Sequence, residues 1–248
     1  MAKIPNGIII SKCLTLAILA LLVSAPVFAD TLIGWGGVGF DDFTTWGQLG
    51  ADGTLIPNPK GATSAGLNPI TISFAGVLTG QTAVQCPALP SCAWSGVNPG
   101  FAAGDTLIWA DNGTGGSLGT GTGPLTLSFG NLVSAAGLYL QSVDLGQFTA
   151  TVLVTLADAS THSIAPITSD VTGDPVFIGM QDTTAANIKK ITFDVSASSL
   201  GDVHDFAVDM LYTMTSGGAA PVPEPQAWLL LLVVAGFTVF RLRRRTVS

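Results

Sequence analysis

Apolar and hydroxyl residues alternate through the middle of this chain with a period of two. Ile70, Ile72 and Phe74 are separated by Thr71 and Ser73, and Leu125, Leu127 and Phe129 by Thr126 and Ser128. Such alternation gives an extended segment one apolar and one polar face, the mark of a half-buried strand. The pattern predicts strands over residues 70–74, 105–110, 125–129, 138–143, 148–156, 176–179, 188–195 and 206–212. Turn segments rich in Asp, Gly, Ser or Pro separate the later ones, at 144–146, 158–160, 172–175 and 198–201. Residues 58–68 read as a Pro/Gly/Ser linker-like loop and 111–123 as an exposed Gly/Thr loop. Many short strands without a helical period predict an all-β fold, an antiparallel β-sandwich.

Both ends of the chain break this pattern. Lys3 and Lys12 precede or flank an apolar run over 14–23, and Val27, Phe28 and Ala29 follow. This is the layout of a secretory signal peptide, with cleavage expected between Ala29 and Asp30. The run is too short to span a bilayer comfortably. Cys13 is preceded by Ile10, Ser11 and Lys12 and does not fit a lipoprotein cysteine. At the other end stand Val222, Pro223, Glu224 and Pro225, then an uncharged run over 227–240, then Arg241, Arg243, Arg244 and Arg245. The prolines stop helix from running backward. The arginines predict a cytoplasmic C-terminus, with 227–240 as a single transmembrane segment. Fourteen residues make roughly 21 Å of helix at about 1.5 Å each, against a hydrocarbon core of about 30 Å. A span this marginal suits a sorting handle better than a lasting anchor.

The three-part tail resembles the PEP-CTERM sorting signal, recognised by exosortases in Gram-negative bacteria. The resemblance rests on Val222, Pro223, Glu224 and Pro225, the apolar run and the arginine cluster. It implies that Pro223, Glu224 and Pro225 are the recognition motif and that an exosortase-type enzyme processes the protein. The route implied is an intermediate held in the inner membrane, then the cell surface or extracellular matrix. The strand order of the second half also looks like the jelly-roll-type domains that often precede such tails. The expected organisation is a signal peptide (1–29), a jelly-roll-like β-sandwich (30–216), a linker with the motif (217–226), the membrane segment (227–240) and a basic tail (241–248).

Charge narrows the function classes. The precursor carries a net charge of −7. Removing both ends leaves fifteen aspartates against Lys60, Lys189 and Lys190, near −12. No basic patch remains to displace counterions, so nucleic acid is not an expected partner. Cys86 and Cys92 are the two cysteines left after cleavage. An exported protein matures where disulfides persist, so these two are expected to pair. The seven-residue loop would gain roughly 2 to 2.5 kcal/mol in the chain-entropy account. A metal site there would need a second Cys or His pair nearby, and none is present.

Candidate chemistry is sparse, and the expectation is a non-enzyme. Gly115, Ser117 and Gly119 fit G-x-S-x-G, but a nucleophile elbow needs a strand before it and a helix after it. Gly34, Gly36 and Gly39 fit G-x-G-x-x-G with no βαβ unit around them. His204 with Asp205 and Ser117 would compose a relay on paper, yet neighbours on a strand face opposite ways. His162 follows a turn and is expected to be solvated. Calcium is the one cofactor considered, with Asp202, Asp205 and Asp209 as ligands, and Asp41 and Asp42 as a further pair. The plainer reading is that these aspartates cap turns and keep the surface soluble. Trp35, Trp46, Trp94 and Trp109 are expected to fill the core rather than line a glycan platform. The expected role is structural or adhesive, at the surface or in the matrix. The alternatives are a Ca-dependent, lectin-like module that holds exopolysaccharide, and a secreted hydrolase with an unrecognised site.

Overall fold

A computed structural model describes residues 30–33, 39–75, 82–85, 101, 104–110, 121–143, 146–199, 201 and 203–215. The expected signal peptide (1–29), Cys86, Cys92, Ser117, Asp202, Trp35, Trp94 and everything from residue 216 onward lie outside them. No helix among the described residues is long and apolar enough to cross a membrane.

Among the described residues, fifteen strands make two antiparallel sheets. The first contains β1 (Asp30–Ile33), β2 (Asp42–Thr44), β3 (Thr54–Leu55), β6 (Thr82–Gln85), β7 (Thr106–Trp109), β9 (Ala135–Ser142), β13 (Val176–Asp182) and β15 (Phe206–Met214). Its order is β1-β13-β9-β15-β7-β6-β3, with β2 also on β15. The second contains β4 (Lys60–Thr63), β5 (Pro69–Phe74), β8 (Leu125–Val133), β10 (Phe148–Leu156), β11 (Thr161–Ser163), β12 (Ile167–Thr168) and β14 (Ile188–Ser198). Its order is β11-β10-β14-β8-β5-β4, with β12 also on β10. A single 3-10 turn, η1 (Trp46–Leu49), lies among the described residues. The predicted all-β, antiparallel character is therefore present.

One hydrophobic cluster joins the two sheets. Ile70, Ile72, Leu125, Leu127, Val152, Ile191 and Phe193 of the second sheet meet Leu138, Leu140, Ile178, Met180, Phe206 and Val208 of the first. The alternation read from the sequence is the reason: β5 and β10 bury every second side chain and leave threonines outward. The outer face of the first sheet carries a second cluster, with Ile33, Phe101, Leu107, Tyr139, Phe177, Ala207 and Met214 buried in it. Two glycines make room there. Gly137 and Gly179 are register partners. A Cβ on Gly137 would lie 2.7 Å from the Phe177 ring, and one on Gly179 would lie 2.5 Å from the Ala136 carbonyl.

Three predicted features need correction. Residues 58–68, expected as a loop, contain β4, paired with β5. As an edge strand β4 buries one side chain, Ala62, and so shows no alternation. The asparagines at the ends of that stretch act as ladder rungs. Asn58 donates to the Phe74 carbonyl (2.9 Å) and accepts the Phe74 N–H (3.1 Å). Asn68 does the same to Asn131, at 3.0 and 2.8 Å. His162, expected to be solvated after the turn, is on β11 and half-buried, 3.3 Å from the Ser160 hydroxyl. Trp109 is not in the inter-sheet core; it packs against the outer cluster.

Candidate functional site

The chemistry-bearing residues gather on the outer face of the first sheet, around β15. On that strand Phe206, Val208 and Leu211 point into the inter-sheet core, while Ala207, Tyr212 and Met214 face outward. Val208 pairs Leu140 and Leu211 pairs Leu138, so β15 carries one extra residue between them. This β-bulge holds Asp209 and Met210 and aims the Asp209 side chain to the outer face. The bulge also takes the Asp209 carbonyl out of the ladder, where the Trp46 indole N–H reaches it at 2.8 Å. Trp46 itself is fully buried, as expected for a core tryptophan.

Asp205 and Asp209 are both buried. Asp205 accepts a hydrogen bond from Trp109 Nε1 at 2.7 Å. Burial pushes the Asp209 carboxyl up to about 7; the Met210 N–H pulls it partly back and the Asp105 charge pushes it up again. Tyr139, opposite the bulge, is pushed up to about 12 by burial, with Tyr212 and Asp209 adding. Burial and then the charges of Asp209 and Asp105 also raise Tyr212. The face thus combines carboxyls and phenols whose charged forms oppose one another. Tyr139, Phe177, Phe40 and Tyr212 stack beside it, with ring centroids 5.2 to 6.3 Å apart.

Such a face can hold protons near neutral pH or receive a cation that relieves the repulsion. The structure brings Asp205 and Asp209 to one side of the sheet, while Asp202 is outside the described residues. Among the described residues no three His, Cys, Asp or Glu side chains lie close enough to hold a metal ion. Asp41 and Asp42 do other work. Asp42 accepts from the Gly66 N–H (2.7 Å) and the Ser64 hydroxyl, and so builds the turn between β4 and β5. Asp41 accepts the Thr215 N–H at 2.8 Å and pins the end of β15.

A second pairing was invisible in the sequence. His204 and Asp205 do not pair; His204 Nδ1 lies 2.8 and 2.9 Å from the two carboxylate oxygens of Asp194 on β14. Burial raises Asp194 more than the His204 hydrogen bond and charge lower it. Residue 204 has φ 65°, a left-handed conformation that turns its ring toward β14. Residues 121–123 are seated on this turn. Gly123 N–H donates to the His204 carbonyl at 3.0 Å, and a Cβ at Gly121 would lie 1.9 Å from that oxygen. A His–carboxylate pair orients an imidazole as it would for base catalysis, and Ser117, the serine of the G-x-S-x-G match, is outside the described residues. Only the bonds themselves reveal this pair: ten residues separate its members, with no spacing motif.

Comparison of the chain with protein-family models, curated proteins and solved structures finds no match.

Proposed function

We infer that this is an exported surface or extracellular-matrix protein with a structural or adhesive role, delivered by a C-terminal exosortase sorting signal. The observation that carries the reading is the tail: Val222, Pro223, Glu224 and Pro225, an uncharged run of fourteen residues, then four arginines within the last eight positions. Glu224 is the only glutamate of the chain, in the place a recogniser would read. The domain before it is taken as a jelly-roll-like sandwich; two antiparallel sheets over one core support that reading. The fastening of Thr215 to Asp41 supports a fixed exit for the tail. Glu224→Ala with Pro225→Ala is expected to leave the protein in the inner membrane with its C-terminus intact. Intact-mass analysis of the surface form is the test. A wild-type surface protein that still ends at Ser248 would indicate plain anchoring and sink the sorting reading.

A Ca-dependent, lectin-like role is the second reading, favoured by one observation. Trp109, Asp205, Asp209 and Tyr212 stand on one face of the first sheet. The half-exposed Trp109 and Tyr212 rings suit the apolar face of a sugar. Polysaccharide from the producing cell is expected to change Trp109 fluorescence in a chelator-sensitive way. Silent calorimetry at millimolar sugar, with calcium present, would remove this reading.

A further inference from the structure

Asp182 is fully buried at the end of β13. Its Oδ1 accepts the Thr184 N–H (2.8 Å) and hydroxyl (2.5 Å). Its Oδ2 is buried and has no partner among the described residues. A carboxylate withdrawn from water with one oxygen unmatched is costly. Something cationic or hydrogen-donating belongs beside it.

The strand next to it supplies a candidate. β1 pairs β13 with Asp30 opposite Asp182. The Asp182 N–H donates to the Ser134 carbonyl at 2.8 Å, on the side away from β1. Asp30 and Asp182 therefore form a non-hydrogen-bonded pair, the close type, with Cα atoms about 4.5 Å apart. Because β1 runs antiparallel, the nitrogen of Asp30 lies toward residues 183 and 184. The Asp182 carboxylate leans the same way, toward Thr184.

We propose that removal of the signal peptide completes this site: the new α-ammonium group of Asp30 becomes the partner of Asp182 Oδ2 and locks β1 onto β13. The inference rests on cleavage after Ala29, read above from the sequence. In the precursor the same nitrogen is an amide, neutral and with one hydrogen. In the processed chain it carries a positive charge and three donors. Peptide-bond hydrolysis supplies that charge with no other reactant than water. The edge strand of the first sheet is then fastened only after export, so the precursor keeps a loose end.

The test compares chains that all run to Ser248, in detergent. One begins at Asp30, one carries Gly-Ser before Asp30, and each is made with and without Asp182→Asn. The chain beginning at Asp30 is expected to melt about 3 to 6 °C above the extended one, and Asp182→Asn is expected to erase that difference. Equal melting of the two wild-type forms overturns the lock. So does a difference that survives Asp182→Asn, which would trace to the extension itself. Should Asp182→Asn not fold, Nα-acetylation of the wild-type chain takes its place: it removes the charge alone and is expected to lower melting as the extension does, and an unchanged melt overturns the proposal. N-terminal sequencing of the exported protein separates the two layers. A start other than Asp30 refutes the cleavage reading, and with it the lock in the cell, whatever the melting curves show.

Discussion

The described domain is expected to melt at a higher temperature at pH 5 than at pH 8, and Asp209→Asn is expected to remove most of the difference. Burial on the outer face of the first sheet raises the Asp209 carboxyl from 3.8 to about 7. In the unfolded chain the same group titrates near 3.8. Between these values the folded state holds a proton that the unfolded state has lost. Stability therefore falls as pH rises through this window and levels off above about 7. Each tenfold change in proton affinity is worth about 1.4 kcal/mol, so the whole effect is at most about 4 kcal/mol. About 2 kcal/mol between pH 5 and 8 is the expectation once water and side-chain relaxation are allowed for. Asp194 acts with the same sign, since burial raises it too. Asp158 and Asp170 act with the opposite sign. The hydroxyl and N–H of Ser160 hold Asp158 below the usual range, and the Asp174 N–H and Thr172 hydroxyl do so for Asp170. Their contribution is lost only in more acidic solution. At pH 8 the asparagine variant is expected to be the more stable protein, by about 1 to 3 kcal/mol, because it no longer buries a charge. Differential scanning calorimetry at pH 5, 6, 7 and 8 reads both trends. A wild-type melting point that is flat across this range, or an asparagine variant that keeps the slope, would falsify the assignment.

The parts of the fold that were legible in advance are the ones that satisfy one buried and one solvated face. β5, β8, β10 and β14 alternate because a single row of side chains decides their energy, and their predicted positions hold, although β8, β13, β14 and β15 extend beyond them. β9 is buried at all eight positions, having the core on one side and the aromatic cluster on the other. Its pattern is accordingly uniform rather than alternating. The short strands β1, β2, β3, β4, β6, β11 and β12, all but β6 at the margins of their sheets, carry no such pattern. Edge strands of two to four residues take their register from backbone pairing, which leaves little trace in side-chain type. The asparagine rungs at Asn58 and Asn68 show the same limit, since side chains that act as peptide groups read as loop formers.

The candidate site was legible only in its ingredients. Composition marked an aspartate-rich domain, and the spacing of Asp205 and Asp209 put both on one face. It could not foresee the bulge that carries Asp209, because an extra residue in a strand is fixed by what the partner strand offers. Nor could it separate Asp42, spent on the turn at Ser64 and Gly66, from Asp209, buried beside Tyr139. The Asp194–His204 pair depends on one left-handed residue that joins the ends of two strands.

Trp46→Ala is expected to be the most damaging single change in the described domain, at about 3 to 5 kcal/mol in urea denaturation. The ring is fully buried in the inter-sheet core and belongs to η1, the turn that follows β2. Its truncation leaves a cavity bounded by two sheets that cannot collapse without breaking ladders. Its second task is polar. The Asp209 carbonyl, thrown out of register by the bulge, has the Trp46 indole as its donor from 163 residues away. Trp46→Phe keeps most of the volume and deletes only that donor, so a loss of about 1 to 3 kcal/mol is expected from the orphaned carbonyl. The two variants thus divide packing from hydrogen bonding. A phenylalanine variant as stable as wild type would show that the bulge does not depend on the indole. Because Trp46 and Asp209 meet at the same bulge, Trp46→Phe and Asp209→Asn are not expected to add. Their double mutant should depart from the sum by more than about 0.5 kcal/mol. Simple additivity would mean that the bulge backbone and the Asp209 carboxyl respond independently, and that the turn at the start of the domain does not set the environment of the last strand.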